Sequence, residues 1–277
     1  MRVSANPAPL QSHFIDTDLG TVHVRVGGSG DPILFWPSLL MTGDLWNAQA
    51  AHFAPRAQVV VIDPPGHGRS QPLTRTFTYS ECAHCVTQIL DALEIGRAHF
   101  VGNSWGGMIG ATFAASAPDR IGRAVLMNCT ASAADRRQKI EYGAMLAVAR
   151  ALGGIRPPLT RSVLKAFLGV TTLGSRPDVV AQVRASLGQV DLKSAAWAVR
   201  SVVPGRPDQL GLLDRITAPV LVVAGAEDIT FPAEHAAKMA AGIPNGHLVV
   251  LDGVGHLAAV EDPPTVNRLI NEFVFDV

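Results

Sequence analysis

Cysteine, net charge and long apolar runs are all scarce in this 277-residue chain. Three cysteines, an odd count at this length, do not make a disulfide framework. Lys plus Arg balances Asp plus Glu at 23 each, which excludes a polybasic nucleic-acid binder, a supercharged surface and a disordered charged tail. No run approaches the roughly 20 apolar residues needed to cross a bilayer. The opening "MRVSANPAPLQSHF" has no apolar stretch of signal-peptide length, so a soluble, cytoplasmic protein is expected. No internal repeat, low-complexity block or long linker is present. What the chain does have is 48% hydrophobic residues, enough for one large α/β domain or for a core with an inserted subdomain.

Alternation at "TVHVRV" (21–26) reads as an early strand, paired with the segment around Phe14 through the "DLG" turn. Apolar runs follow at 33–35, 59–62, 99–101, 124–127, 220–224 and 248–251, as in strands covered on both faces. Helical patterns separate them. The clearest covers 79–94, where Thr78 and Glu81 have capping-box spacing and Gly96 marks the expected end. This alternation predicts a mostly parallel sheet. From 131 to 213 the strand signal vanishes and helix-like segments are broken by "GGIRPP", "GSRPD" and "PGRPD". The expected organisation is therefore a core at 1–130, a helical cap at 131–213 packed on it, and the rest of the core at 214–277. Cys82 and Cys85 form a lone C-x-x-C inside a helical pattern. Without a second ligand pair it reads as structural rather than as a redox or zinc site.

Gly102-Asn103-Ser104-Trp105-Gly106 is a G-x-S-x-G sequence directly after a predicted strand and before the small-residue helix "GMIGATFAAS". In that setting the turn is sharp and the serine hydroxyl projects at the carboxyl end of the strand. The helix N-terminus beside it favours negative charge. The alternative is a structural elbow without catalysis. A serine nucleophile demands a histidine base and an acid to orient it. "GAEDITFP" places Asp228, and "DGVGHLAAVEDPP" places His256, in loops after later predicted strands; Glu227 and Asp252 rival Asp228 as the acid. Of the other histidines, only His67 in "DPPGHGRS" sits in a comparable loop, and it reads as part of a turn.

"DPPGHGRS", "VGNSWGG", "GAEDITFP" and "GVGHLAAVEDP" resemble, in order and spacing, the α/β-hydrolase superfamily over nearly the whole chain outside the cap. The resemblance implies an eight-stranded, mostly parallel sheet flanked by helices and a catalytic order Ser104, Asp228, His256. Where many members carry His-Gly, this chain has Trp36-Pro37-Ser38-Leu39, similar to the 3-oxoadipate enol-lactonase branch. That register assigns the oxyanion hole to the N–H groups of Leu39 and Trp105. A one-residue shift would give Ser38 or Leu40, and Pro37 has no N–H to donate. Trp36, Ser38 and Trp46 are assigned to the substrate wall, with core packing the alternative for the two indoles. Trp197 belongs to the cap, as pocket roof or cap interior.

Residues 131–210 hold twelve Lys or Arg against five Asp or Glu. Such a lid suits an anionic substrate, unless these are simply solvated helix faces. The expected activity is hydrolysis of a small-molecule ester or lactone through an acyl-enzyme, needing no metal or organic cofactor. The same triad would also serve a carbon–carbon bond hydrolase or a cofactor-free perhydrolase. A receptor that retains the fold without turnover is the rival from another class. A serine at the elbow disfavours dehalogenase and epoxide hydrolase chemistry.

Overall fold

In the computed structural model, which describes residues 10–275, the short apolar runs assemble into one eight-stranded sheet. Residues 1–9 of the N-terminal stretch considered above lie outside the described residues. Strands β1 (Gln11–Thr17) and β2 (Gly20–Gly27) form the expected antiparallel hairpin. β2 also pairs antiparallel with β4 (Gln58–Ile62). From there the sheet is parallel through β3 (Pro32–Trp36), β5 (Ala98–Asn103), β6 (Ile121–Met127), β7 (Val220–Gly225) and β8 (Gly246–Leu251). The spatial order is β1-β2-β4-β3-β5-β6-β7-β8.

Continuous apolar runs suit the central strands because successive side chains enter opposite cores. Leu34, Trp36, Val60, Ile62 and Phe100 join one cluster with helices α2 (Tyr79–Ala92), α3 (Trp105–Ser116) and α9 (Ala233–Gly242). Ile33, Phe35, Val59, Val61 and Val101 join the other, with α1 (Asn47–Phe53) and α11 (Pro263–Val274). Each such side chain contributes about 1.5–3 kcal/mol on burial. β8 departs from the expectation of two covered faces. As the outermost strand it leaves Leu248 and Val250, two residues apart on one face, 40% and 43% exposed.

Thr78 and Glu81 make both hydrogen bonds of a capping box at the start of α2. The end of this helix differs from the sequence reading. Glu94, not Gly96, takes the left-handed conformation (φ 56°), the Ile95 N–H reaches back to the Leu90 carbonyl, and Ile95 seals the turn by entering the core. Cys82 and Cys85 are buried on the inner face of α2, where burial pushes the Cys85 thiol up to about 12. Among the described residues, no helix is long and apolar enough to cross a membrane.

Five α-helices lie between β6 and β7: α4 (Arg136–Ala151), α5 (Leu159–Phe167), α6 (Val170–Ser175), α7 (Pro177–Gly188) and α8 (Leu192–Val202), followed by a 3-10 helix at Leu210–Arg215. Short α10 (Ala258–Glu261) precedes α11. The loops leaving β3, β5, β6, β7 and β8 all open on the carboxyl edge of the sheet, where open α/β sheets bind their ligands.

Candidate active site

Ser104 joins β5 to α3 with φ 54° and ψ −110°, a strained conformation for a residue bearing a Cβ. Its N–H donates to the Met127 carbonyl at 2.7 Å, which ties the elbow to the end of β6. The flanking glycines are packing requirements. A Cβ on Gly102 would lie 2.3 Å from the Gly106 carbonyl carbon, and one on Gly106 would lie 2.2 Å from the Trp36 carbonyl oxygen. Only bare backbones let α3 start this close to β3 and β5.

Asp228 and His256 meet at 2.8 Å, Oδ2 to Nδ1, both buried. The Asp228 carboxylate is fully held: Oδ1 accepts the N–H groups of Thr230 (2.8 Å) and Phe231 (3.0 Å), and Oδ2 also accepts from Asn128 Nδ2. Glu227 turns away and accepts from the Thr171 hydroxyl and N–H, while Asp252 is exposed on the surface. Ser104 and His256 line the same cavity, and no hydrogen bond joins them among the described residues. Such contacts are often loose without substrate and tighten in the reacting complex.

Three polar residues that local patterns do not single out hold these loops in place. Asn103 Nδ2 donates to Ser38 Oγ (2.7 Å) and to the His256 carbonyl (2.9 Å), linking the loop after β3 to the histidine loop. Asn128, left-handed at φ 50°, bridges Asp228 and the Gly255 carbonyl. Buried Glu261 accepts the N–H groups of Gly255 and Leu257, on either side of His256, and that of Gly169 from the helical segment.

In the loop after β3, Leu40 is left-handed (φ 67°) and its N–H donates to His67 Nε2 at 3.1 Å. His67 Nδ1 faces the Pro65 carbonyl at 3.1 Å, so the proton sits on Nδ1 and both bonds require a neutral ring. Burial lowers the His67 pKa and favours that form. The Leu40 N–H is thus already engaged. Among the described residues the N–H groups of Leu39 and Trp105 have no hydrogen-bond partner, and Leu39 lines the cavity beside Ser104.

The cavity encloses about 890 Å³ of empty space, its mouth included, beneath α4, α5 and α8. Its walls are apolar apart from Ser104, His256, Tyr142, Thr230 and Arg206. Three residues assigned above to the substrate wall do not line it. Trp36 is fully buried, meeting Trp105 edge-on at 5.6 Å, because it shares a sheet face with Leu34. Trp46 is fully buried against Phe35 at 5.2 Å. Ser38 is 1% exposed, its hydroxyl held by Asn103. The Trp105 indole stacks on Phe77 in the core, so only its backbone faces the elbow. Trp197 is half-buried under the Arg200 guanidinium and is also absent from the cavity wall.

A family profile described as alpha/beta hydrolase fold matches residues 31–263. The 2-hydroxy-6-oxononadienedioate/2-hydroxy-6-oxononatrienedioate hydrolase of Burkholderia vietnamiensis is 29% identical over 272 residues, spanning 96% of this chain and 91% of that protein. The 3-oxoadipate enol-lactonase 2 of Acinetobacter baylyi is 26% identical, spanning 93% and 96%. Among solved structures, a thermophilic esterase from Thermogutta terrifontis superposes with a TM-score of 0.88 at 25% identity, spanning 96% of this chain and 98% of that one.

Proposed function

This chain belongs to the alpha/beta hydrolase fold family, and from that premise we propose that it hydrolyses a small carboxylic ester or lactone through an acyl-enzyme on Ser104. The observation that carries the reading is the buried Asp228–His256 pair, 2.8 Å apart, on the same cavity wall as a strained Ser104. His256 Nε2 takes the hydroxyl proton as Ser104 Oγ attacks the carbonyl. The imidazolium that forms is stabilised by Asp228, whose two oxygens are held in place by backbone and Asn128 donors. The carbonyl oxygen, now anionic, settles against the N–H groups of Leu39 and Trp105, the latter at the N-terminus of α3. One such donor is worth about 3 kcal/mol of transition-state stabilisation.

His256 then passes its proton to the leaving alkoxide or enolate, which for a lactone stays tethered to the acyl group. Water, activated by the same imidazole, releases the acid. The apolar walls keep bulk water from screening these charges. The 29%-identical relative supports a second reading, cleavage of a carbon–carbon bond beside a carbonyl by the same triad. Turnover of aryl esters and enol-lactones against vinylogous diketones separates the two.

The test is covalent labelling of Ser104 by a fluorophosphonate, with loss of the adduct and of ester turnover in Ser104→Ala. Folded protein that forms no adduct and cleaves no ester or lactone is not this enzyme. The receptor reading would then stand.

A further inference from the structure

The basic residues between 131 and 210, read above as a lid for anions, are exposed or half-exposed with one exception. Arg206 is 5% exposed and reaches the cavity wall. Its Nε donates to the Ser132 carbonyl (2.9 Å) and its Nη2 to Gln138 Oε1 (2.7 Å). Among the described residues Nη1 makes no hydrogen bond, and no carboxylate lies within ion-pair distance of the guanidinium. A charge whose direct contacts are neutral acceptors bears a desolvation cost that the more distant Asp135 carboxylate offsets only in part. Burial accordingly lowers the Arg206 pKa from its ordinary value. Among the described residues, Arg206 is the only charged side chain in a wall that is otherwise almost entirely apolar.

Its position relative to the reacting groups is set by one ring. The guanidinium carbon stands 5.3 Å from the Phe231 ring centre, and the His256 imidazole 5.6 Å from the same ring. Arg206 and His256 are therefore no farther apart than those two spacings laid end to end. A chain of a few carbon atoms lying along Phe231 spans that gap.

We propose that Arg206 is the specificity-determining residue of this cavity. Its open Nη1 edge binds a carboxylate carried a few bonds from the scissile carbonyl, so the site selects half-esters or lactones of short dicarboxylic acids over neutral counterparts. This rests on the ester or lactone hydrolase reading. The Ser132 and Gln138 contacts also pin the start of the helical segment, so the test must move something that a purely structural clamp would not.

That readout is a selectivity ratio: kcat/KM for the mono-4-nitrophenyl ester of glutaric acid divided by that for its methyl-capped neutral form. Arg206→Gln is expected to lower the ratio about 10- to 100-fold, the range for losing charge-assisted hydrogen bonds to a carboxylate. Arg206→Lys, which keeps the charge but not the fork, is expected to fall between and covers the case in which the Gln variant fails to fold. Arg184→Gln, on the exposed face of α7, should leave the ratio unchanged. An unchanged ratio in the folded Arg206 variants overturns the proposal, as does an equal fall in Arg184→Gln, which would mark a diffuse field.

Binding is measured separately in Ser104→Ala protein titrated with glutarate. Saturable binding that weakens at least tenfold on adding Arg206→Gln supports the proposal, and binding indifferent to Arg206 overturns it. If the native enzyme neither labels nor turns over esters while glutarate binding still depends on Arg206, the hydrolase reading fails and the charge-reading site survives. If labelling and turnover persist while Arg206 proves indifferent, the reverse holds.

Discussion

Replacing Asp228 by Asn tests the proposed mechanism most severely, because the contacts of the carboxylate dictate how the amide must sit. Oδ1 faces two backbone N–H donors, of Thr230 and Phe231, so the amide oxygen has to remain there. The NH2 then occupies the Oδ2 position, opposite His256 Nδ1 and the Asn128 amide. Facing a donor, His256 must present a lone pair at Nδ1 and carry its proton on Nε2. That is the tautomer that cannot accept a proton from Ser104. The fold keeps most of its hydrogen bonds, while kcat/KM for a neutral aryl ester is expected to fall about 10³- to 10⁴-fold, or about 4–5.5 kcal/mol of transition-state stabilisation. The assay pairs initial rates with the rate of fluorophosphonate labelling, since both need the same proton transfer. Glu227→Gln is the control, its carboxylate being occupied with Thr171. If Asp228→Asn, folded by circular dichroism, kept more than a tenth of the native rate, the orientation of His256 by Asp228 would not be what drives the chemistry.

Gly106→Ala is expected to cost at least about 3 kcal/mol in urea unfolding, because its Cβ would sit 2.2 Å from a backbone oxygen that cannot swing aside. A loss under 1 kcal/mol would show that α3 can shift. Glu261→Ala strips the acceptor from three N–H groups around His256 and should lower stability by about 2–4 kcal/mol. It should also depress kcat, with Glu261→Gln recovering part of both; loss of stability without loss of kcat would deny it a positioning role. Burial lowers the His67 pKa below 6.5, so the unfolded chain binds this proton more readily than the folded one. Its contribution is complete above about pH 6.5 and is lost as the pH falls below that value toward the folded pKa. Half-buried His99 is shifted the same way, so the check is the difference in unfolding midpoint between pH 7 and pH 5, which should shrink in His67→Gln.

Ser104, Asp228 and His256 are legible in the sequence because each follows a short apolar run. In a parallel sheet the carboxyl ends of all such runs lie along one edge. Chain order supplies the rest, with no need to know how the intervening helices pack. Placing Trp36 on the substrate wall overlooked a signal in the sequence: two residues after Leu34 on a five-residue strand, it has to point into the same core. Glu94 was not, since the Gly96 two positions on looks the better helix stop until Ile95 is found committed to the core.

The residues that hold the site together lack any local pattern because their partners are remote. Asn128 reaches across 100 residues to Asp228 and 127 to Gly255, and Asn103 crosses 153 to the His256 carbonyl. An asparagine with one partner near in sequence leaves a turn signature; one with both partners far away reads like any loop residue. Arg206 illustrates the same limit for charge. In the sequence it is one of twelve basic residues in a segment whose excess suggests a field spread over a lid. Solvent screens the exposed ones within about 10 Å, so their number says little about what the cavity holds. The one that loses its water keeps nearly all of its electrostatic demand. Which one that is depends on α8 ending at Val202 and the chain turning back beneath Gln138, a consequence of packing and not of composition.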